Sequence, residues 1–323
     1  MNTDLASKPL AQPSSSVHVV RPVVADAAAA IIDSRAVSPV FVMRSSRIGV
    51  EWATAIGITA MHLLALLAFV PGFFHWSGVV VAPVLYYVAG GIGICLGFHR
   101  LLTHRSFRTF KPIEYALTIL GTLSWQGGPI RWVGTHRIHH SESDGPLDPH
   151  TPQHGFTWSH MLWCFYKWPD GRDPLEVTRD LQRDKGMVLI DRYHYLPQFA
   201  LAAALFFAGW WIIGEWQAGA CWMIWGVAIR TVVTYHATWF VNSAAHTWGY
   251  RNFRTDDGSR NNWWVALLSF GEGWHNNHHA QQRSAAHGMR WWEIDTTWWI
   301  ILLMEKVGLA KRVVRPRLDD MDT

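Results

Sequence analysis

Four long apolar stretches organise this chain, at 50–70, 79–97, 197–213 and 218–241. A helix rising about 1.5 Å per residue needs about 20 apolar residues to cross the hydrocarbon core of a bilayer, so each stretch predicts a spanning helix. The third is short. The fourth carries Arg230 and His236, which should face protein or the active-site end, because a charge facing lipid is costly. Brief links at 71–78 and 214–217 pair the four into two hairpins. About 100 residues separate the hairpins and about 80 follow the second. Within them, 115–125 and 298–307 predict amphipathic or interfacial helices, and neither a repeat nor a second domain is visible. Residues 1–40 are rich in Ala, Val, Ser and Pro without a sustained apolar period. They predict a disordered tail rather than a signal peptide, since Met1 to Asp4 lacks a basic cluster and Asp26 interrupts the apolar run. The expected fold is an all-α integral membrane domain over 41–310, with four transmembrane helices beneath a helical cap. A C-terminal tail at 311–323 completes it.

Charge then orients the hairpins. The links at 71–78 and 214–217 contain no Lys or Arg, whereas the opposite flanks carry Arg44, Arg47, Arg100, Arg105, Arg108, Lys111, Arg251 and Arg254. By the positive-inside bias, both termini and the whole cap are expected in the cytoplasm. The net charge of +4 fits anionic headgroups better than nucleic acid, because the basic residues flank apolar segments instead of forming an aromatic-interleaved stripe.

Composition adds chemistry. Only 16% of residues are charged, and the chain holds 21 Trp and 18 His. Indoles suit bilayer interfaces, and Trp263, Trp264, Trp291, Trp292, Trp298 and Trp299 are expected at headgroup level. Cys95, Cys164 and Cys221 form no CxxC pair and read as reduced thiols.

The histidines fall into motifs: HRLLTH from His99 to His104, HRIHH from His136 through His139 to His140, NSAAH from Asn242 to His246, and HNNHH from His275 through His278 to His279. On a helix, residues three and four apart share a face while neighbours diverge by about 100°, so each HxxHH can serve two metals at once. His99 and His104 lie five apart, which suits no single α-helical face, and the helix should loosen or turn between them. Nine imidazoles suggest two ions with four or five ligands each, and imidazole suits iron, zinc, copper and nickel alike. Asn242 reads either as a polar cap or as the holder of a metal-bound water. Glu272 and Asp148 read as orienting acceptors for ligand histidines or as ordinary turn and salt-bridge residues. His18, His62, His75, His194 and His287 read as ordinary core or surface histidines.

The segments GFHRLLTHR (97–105), THRIHH (135–140), WFVNSAAH (239–246) and GEGWHNNHH (271–279) resemble the membrane fatty acid desaturases of the stearoyl-CoA desaturase type, over about residues 45–310. The resemblance implies a di-iron site. One iron would take His99, His104, His136, His140 and His278; the other would take His139, His246, His275 and His279, with Asn242 through water. Animal acyl-CoA desaturases carry an Arg-Asp pair just before the second box, which helps bind the CoA head. Here Gly134 and Thr135 stand there, in a stretch closer to the bacterial, cyanobacterial and plant branch, several of whose members act on glycerolipids. The carrier is thus acyl-CoA or acyl-glycerolipid, and Arg131 is either a headgroup contact or a solvated loop arginine. The resemblance also implies a separate electron donor such as ferredoxin.

The implied reaction removes two hydrogens from neighbouring methylenes of a C16–C18 chain, at Δ9 by the resemblance, using O2 and two electrons. Such C–H bonds carry no acidic proton, so the chemistry belongs to the cofactor and the protein positions the chain and excludes water. Tyr87 and Gly91 are expected to help set chain length, and Trp239 to wall the tunnel; each also reads as plain helix packing. Two rivals remain at this stage. A histidine-box hydroxylase would share the fold and add oxygen instead. A non-enzymatic membrane metal transporter or store would place its ligands nearer the bilayer midplane.

Overall fold

A computed structural model describes residues 49–167, 172–319 and 321. The expected 1–40 tail, His18, Arg44 and Arg47 lie outside the described residues. Among those described, four helices are long and apolar enough to cross a membrane: Trp52–Phe69, Trp76–Thr103, Leu196–Ile213 and Trp216–His246. The second begins three residues before the apolar run and ends six after it. Apolarity stops at Gly97 but helicity does not, because Phe98, His99, Arg100, Leu101 and Leu102 are all buried against the cap. The fourth overruns its apolar stretch in the same way, carrying His246 at its end.

Outward faces of the spans are apolar. Trp52, Ile56, Val80, Phe199, Phe207 and Trp211 are exposed, as a lipid-facing surface requires. Inward faces use small residues to bring backbones together. The third and fourth spans turn at Gly214, whose φ of +88° places it in the left-handed region and lets its N–H cap Trp210 O. Near that turn a Cβ on Gly219 would stand 2.3 Å from Phe206 O, so only glycine fits. Arg230 is buried as expected and bonds protein groups: the carbonyls of Gly226 and Leu123 and the side-chain oxygen of Gln198 on the third span.

The second span changes winding. It is α-helical over Trp76–Tyr86 and π-helical over Tyr87–Thr103, a long run of a geometry that usually appears as single-turn bulges at functional sites. Four glycines within it, at 90, 91, 93 and 97, permit close packing. A Cβ on Gly93 would stand 2.6 Å from Gly121 Cα in the neighbouring helix Lys111–Thr122.

The cap adds the helices Lys111–Thr122, Pro129–Glu142, His275–Ala280 and Thr296–Lys306. The expected interfacial helices at 115–125 and 298–307 correspond to the first and last of these. Phe98, Leu102, Phe107, Val133, Met187 and Ile301 form the core beneath them, each contributing about 1.5–3 kcal/mol by burial. No strand forms among the described residues, only isolated bridges. One of these pairs Arg108 with Lys311, and the Val314 backbone bonds Ser106 and Ala285. The 311–317 stretch, expected as a tail, is therefore laid along the end of the second span. Trp263, Trp291, Trp292 and Trp299 are exposed, while Trp264 packs on Phe240 and Trp298 lies under Arg315. The three cysteines are free.

Candidate metal centre

The π-winding resolves the awkward spacing of the first motif. The N–H of His104 bonds the carbonyl of His99 at 3.1 Å, an i to i+5 bond that stacks residues five apart on one face. Their ring centroids lie 4.7 Å apart. The second motif sits on a true α-helix that starts behind Gly128 with Pro129 in its first turn, where a missing N–H costs nothing. There His136 and His140 share a face, with centroids 4.6 Å apart, and His139 turns aside. NSAAH closes the fourth span: the α-helix ends at Ser243 and tightens to a 3-10 turn over Ala244–His246. HNNHH occupies the short helix His275–Ala280. Asn276 and Asn277 fix that helix from outside, bonding Asn252, Phe253, Asn261, the His287 carbonyl and Glu293.

These elements gather the nine histidines into two groups. His99, His104, His136, His140 and His278 form one; His139, His246, His275 and His279 form the other, and within each group one nitrogen per ring lies within 4.8 Å of all the rest. Both HxxHH motifs contribute to both groups. Nε2 atoms face each other at 3.1 Å for His99 and His278, 3.0 Å for His136 and His140, 2.9 Å for His140 and His278, and 3.0 Å for His246 and His275. His139 and His279 face at 3.4 Å. Nitrogens about 2.1 Å from one ion stand about 3.0 Å apart at right angles and about 3.4 Å apart at the tetrahedral angle. Lone pairs aimed at each other across such gaps fit a shared cation, so the donor set fits metal binding.

Electrostatics favours the neutral form in six of the nine rings. Burial and the neighbouring imidazoles depress His104, His136, His140, His275 and His278 well below the ordinary histidine value. His279 is pulled to about 4, chiefly by burial, against the carboxylate of Asp257. His139 is the exception: burial lowers it, but Asp148 at 2.9 Å outweighs that and raises it.

Carboxylates stand behind several rings, as metal-binding histidines require for a fixed orientation. His99 Nδ1 meets Glu272 at 2.6 Å, His139 Nδ1 meets Asp148 at 2.9 Å, and His279 Nδ1 meets Asp257 at 2.7 Å. His246 Nδ1 stands 3.0 Å from Asp144, in ion-pair range though off the line of a straight hydrogen bond. Glu272 also bonds Arg100 at 3.0 Å and lies 2.9 Å from His287, and Arg100 continues to Asp295. Of these acceptors, sequence reasoning singled out Glu272 and Asp148. Asp144 and Asp257 lie in irregular segments with no periodic relation to the rings they serve. His287, read as an ordinary core or surface histidine, is buried with its ring 4.3 Å from His278, and His150, which the motifs did not single out, packs 4.2 Å from His139. His75 and His194 do perform ordinary local duty, on Ser77 and on the Asp191 carbonyl.

Asn242 is half-buried on the last turn of the fourth span, four residues before His246. Next to it Ser243 begins a chain of imidazoles, His160 to His236 to His62, linked at 3.0, 3.0 and 3.2 Å. Trp239 is buried and stacks on Tyr235 at 5.1 Å. Tyr87 and Gly91 meet Phe270: the two rings are 5.1 Å apart, and a Cβ on Gly91 would stand 3.3 Å from Phe270 and 3.0 Å from Tyr87. Beside them a narrow cleft between the second and fourth spans is lined by Tyr86, Gly90, Ile94, Thr238 and Phe270. Arg131 is exposed near the start of the Pro129–Glu142 helix.

Known proteins resemble this chain in sequence. The sequence model of a family described as "Fatty acid desaturase" matches residues 74–311. An sn-1 stearoyl-lipid 9-desaturase of Anabaena variabilis is 47% identical over 269 residues, covering 83% of this chain and 96% of that one. An sn-2 palmitoyl-lipid 9-desaturase of Nostoc sp. (strain 36) is 46% identical over 82% of this chain and 90% of its own. An acyl-CoA C20 Delta5-desaturase of Anemone leveillei is 41% identical over 80% of both.

Proposed function

The chain belongs to the fatty acid desaturase family, and from that premise we propose that it inserts a cis double bond at carbon nine of a saturated C16–C18 acyl chain carried on a membrane glycerolipid. It is an oxidoreductase of the membrane. The balanced reaction takes the saturated chain, O2, two electrons and two protons to the unsaturated chain and two waters. The observation that carries the reading is the division of nine buried histidines into groups of five and four, set in a chain resembling lipid 9-desaturases along most of its length.

Two irons, bound by these two groups with Asn242 contributing through water, would supply the O2 activation that an unactivated C–H bond demands. The protein's share is positional. Asp148 and Asp257 accept the Nδ1–H groups of His139 and His279, while Glu272 and Asp144 stand in ion-pair range behind His99 and His246, and together they aim Nε2 lone pairs inward. The acyl chain would run between the second and fourth spans, with Tyr87, Gly91 and Trp239 bounding it and excluding water. The cap and both termini would face the cytoplasm, where a separate carrier such as ferredoxin delivers electrons.

The glycerolipid reading rests on Gly134 as well as on the relatives. A Cβ there would stand 2.3 Å from the Pro174 carbonyl, so the backbone at 174 occupies the space a larger side chain would need. A larger, CoA-contacting side chain at 134 has no room there, which supports the glycerolipid reading, and exposed Arg131 offers a phosphate contact nearby.

Expression in a host lacking its own desaturase tests the proposal. Lipid-class-resolved mass spectrometry should find Δ9 double bonds appearing first in intact glycerolipids. Hydroxylated chains, or unsaturation appearing first in acyl-CoA, would contradict it.

A further inference from the structure

The geometry points to two metal positions of unequal charge, with the four-histidine group built for the more oxidised ion; this rests on the reading that both groups hold iron. The observation is the distribution of carboxylates behind the rings. In the four-histidine group, three of the four outer nitrogens face one: His139 faces Asp148 at 2.9 Å, His246 faces Asp144 at 3.0 Å and His279 faces Asp257 at 2.7 Å. Neutral groups donate further hydrogen bonds to these carboxylates. Asp148 accepts the backbone N–H of Asp144 and of His150, Asp144 accepts that of Gly258, and Asp257 accepts Ser259 and Thr255.

The five-histidine group is different. Glu272 reaches His99 at 2.6 Å, but it also takes two hydrogen bonds from Arg100, which in turn pairs with Asp295. Glu272, Arg100 and Asp295 together carry one net negative charge, against three behind the other group. Among the described residues, no outer nitrogen in this group makes a hydrogen bond to a carboxylate, whereas His139 and His279 of the other group do so at 2.9 and 2.7 Å. The outer nitrogens of His140 and His278 here, and of His246 and His275 there, are buried without a hydrogen-bond partner among the described residues.

A carboxylate accepting the outer N–H makes an imidazole a stronger donor, and a nearby negative charge in a buried site favours the higher metal charge. Both effects act in the same direction, and both favour the four-histidine position. Asp144, Asp148 and Asp257 are thus positioning residues that set the order of oxidation. At one electron removed from the fully reduced state, the ferric ion sits in the four-histidine group and the ferrous ion in the five-histidine group.

Mössbauer spectroscopy of the 57Fe-loaded full-length protein in detergent, oxidised in steps, reads this directly without turnover. The expected wild-type result is two equal ferrous signals, one converting to ferric before the other. Asp257→Asn and Asp148→Asn should shift the early-converting signal and bring the two conversions together, whereas Glu272→Gln should spread them apart. Should an Asn variant bind only one iron, loss of the early-converting signal supports the inference and loss of the late one overturns it. Two wild-type irons that oxidise together, or an order unmoved by Asp257→Asn, would also overturn it. A wild type retaining fewer than two irons would instead overturn the di-iron reading beneath it.

Discussion

At the scale of single residues, the site is held by side chains of two kinds: imidazoles whose spacing announces them and carboxylates whose spacing does not. Gly91 illustrates how narrow the tolerances are around the proposed acyl path. Its missing Cβ leaves room for Tyr87 and Phe270 at 3.0 and 3.3 Å, so Gly91→Leu should push these rings into the path and shift the product profile toward shorter chains. Fatty acid analysis of cells expressing the variant checks this, and an unchanged chain-length profile would count against it. His160 offers a pH test. Burial, reinforced by His236, lowers it to about 4 from an ordinary 6.5. The unfolded chain therefore binds this proton at higher pH than the folded one, so the associated stability is complete above pH 6.5 and is lost as pH falls toward 4. Thermal melts in detergent should show His160→Asn losing less stability than wild type between pH 7 and pH 5. His136, His140, His275 and His279 were legible because they sit at helical spacing, and His99 and His246 because their motifs resemble the family's; Asp144 and Asp257 were not, because a loop brings each to its ring from a place the chain's order does not encode. His287, read as an ordinary core or surface histidine, is buried, and its place beside Glu272 and His278 was not legible for the same reason.

Elements show where pattern reading stops. Apolar runs located all four spans, yet they ended the second at Gly97, whereas burial carries the helix on to Thr103. The π-winding left only an indirect trace, the five-residue gap between His99 and His104 that no α-helix serves. Glycines at 90, 91, 93 and 97 permit the winding, but glycine also serves plain packing, so sequence could not decide between the two. Arg230 ties elements together from within the bilayer: it joins the fourth span to Gln198 on the third and to the Leu123 carbonyl beyond the cap helix. Arg230→Ala would leave those acceptors buried and unpaired and should destabilise the protein by about 3 kcal/mol. Denaturant or thermal unfolding in detergent measures this, and a loss within error of zero would mean that lipid or water replaces the guanidinium.

For the whole molecule, the nine candidate histidines gather where the ends of the second and fourth spans meet the cap helices. The charge asymmetry that predicts a cytoplasmic cap can be read chemically. Cysteines introduced at Arg283 in the cap and at Gln217 in the second hairpin, both exposed, should label from opposite sides of the membrane. Arg283→Cys should react with an impermeant maleimide only after the inner face is opened, and Gln217→Cys in intact cells; the reverse pattern would invert the topology. Cys95 and Cys221 are buried, and Cys164→Ser, at the partly exposed third cysteine, keeps the background low. The central claim is that nine histidines serve a two-metal centre that withdraws two hydrogens from an acyl chain. Its most direct test is one mass measurement. Iron-loaded protein in nanodiscs of fully saturated phospholipid, given reduced ferredoxin and 18O2, should yield lipid lighter by two hydrogens and free of 18O, with the double bond at carbon nine. Lipid carrying 18O on the chain, or no change in mass with iron present, would contradict the account.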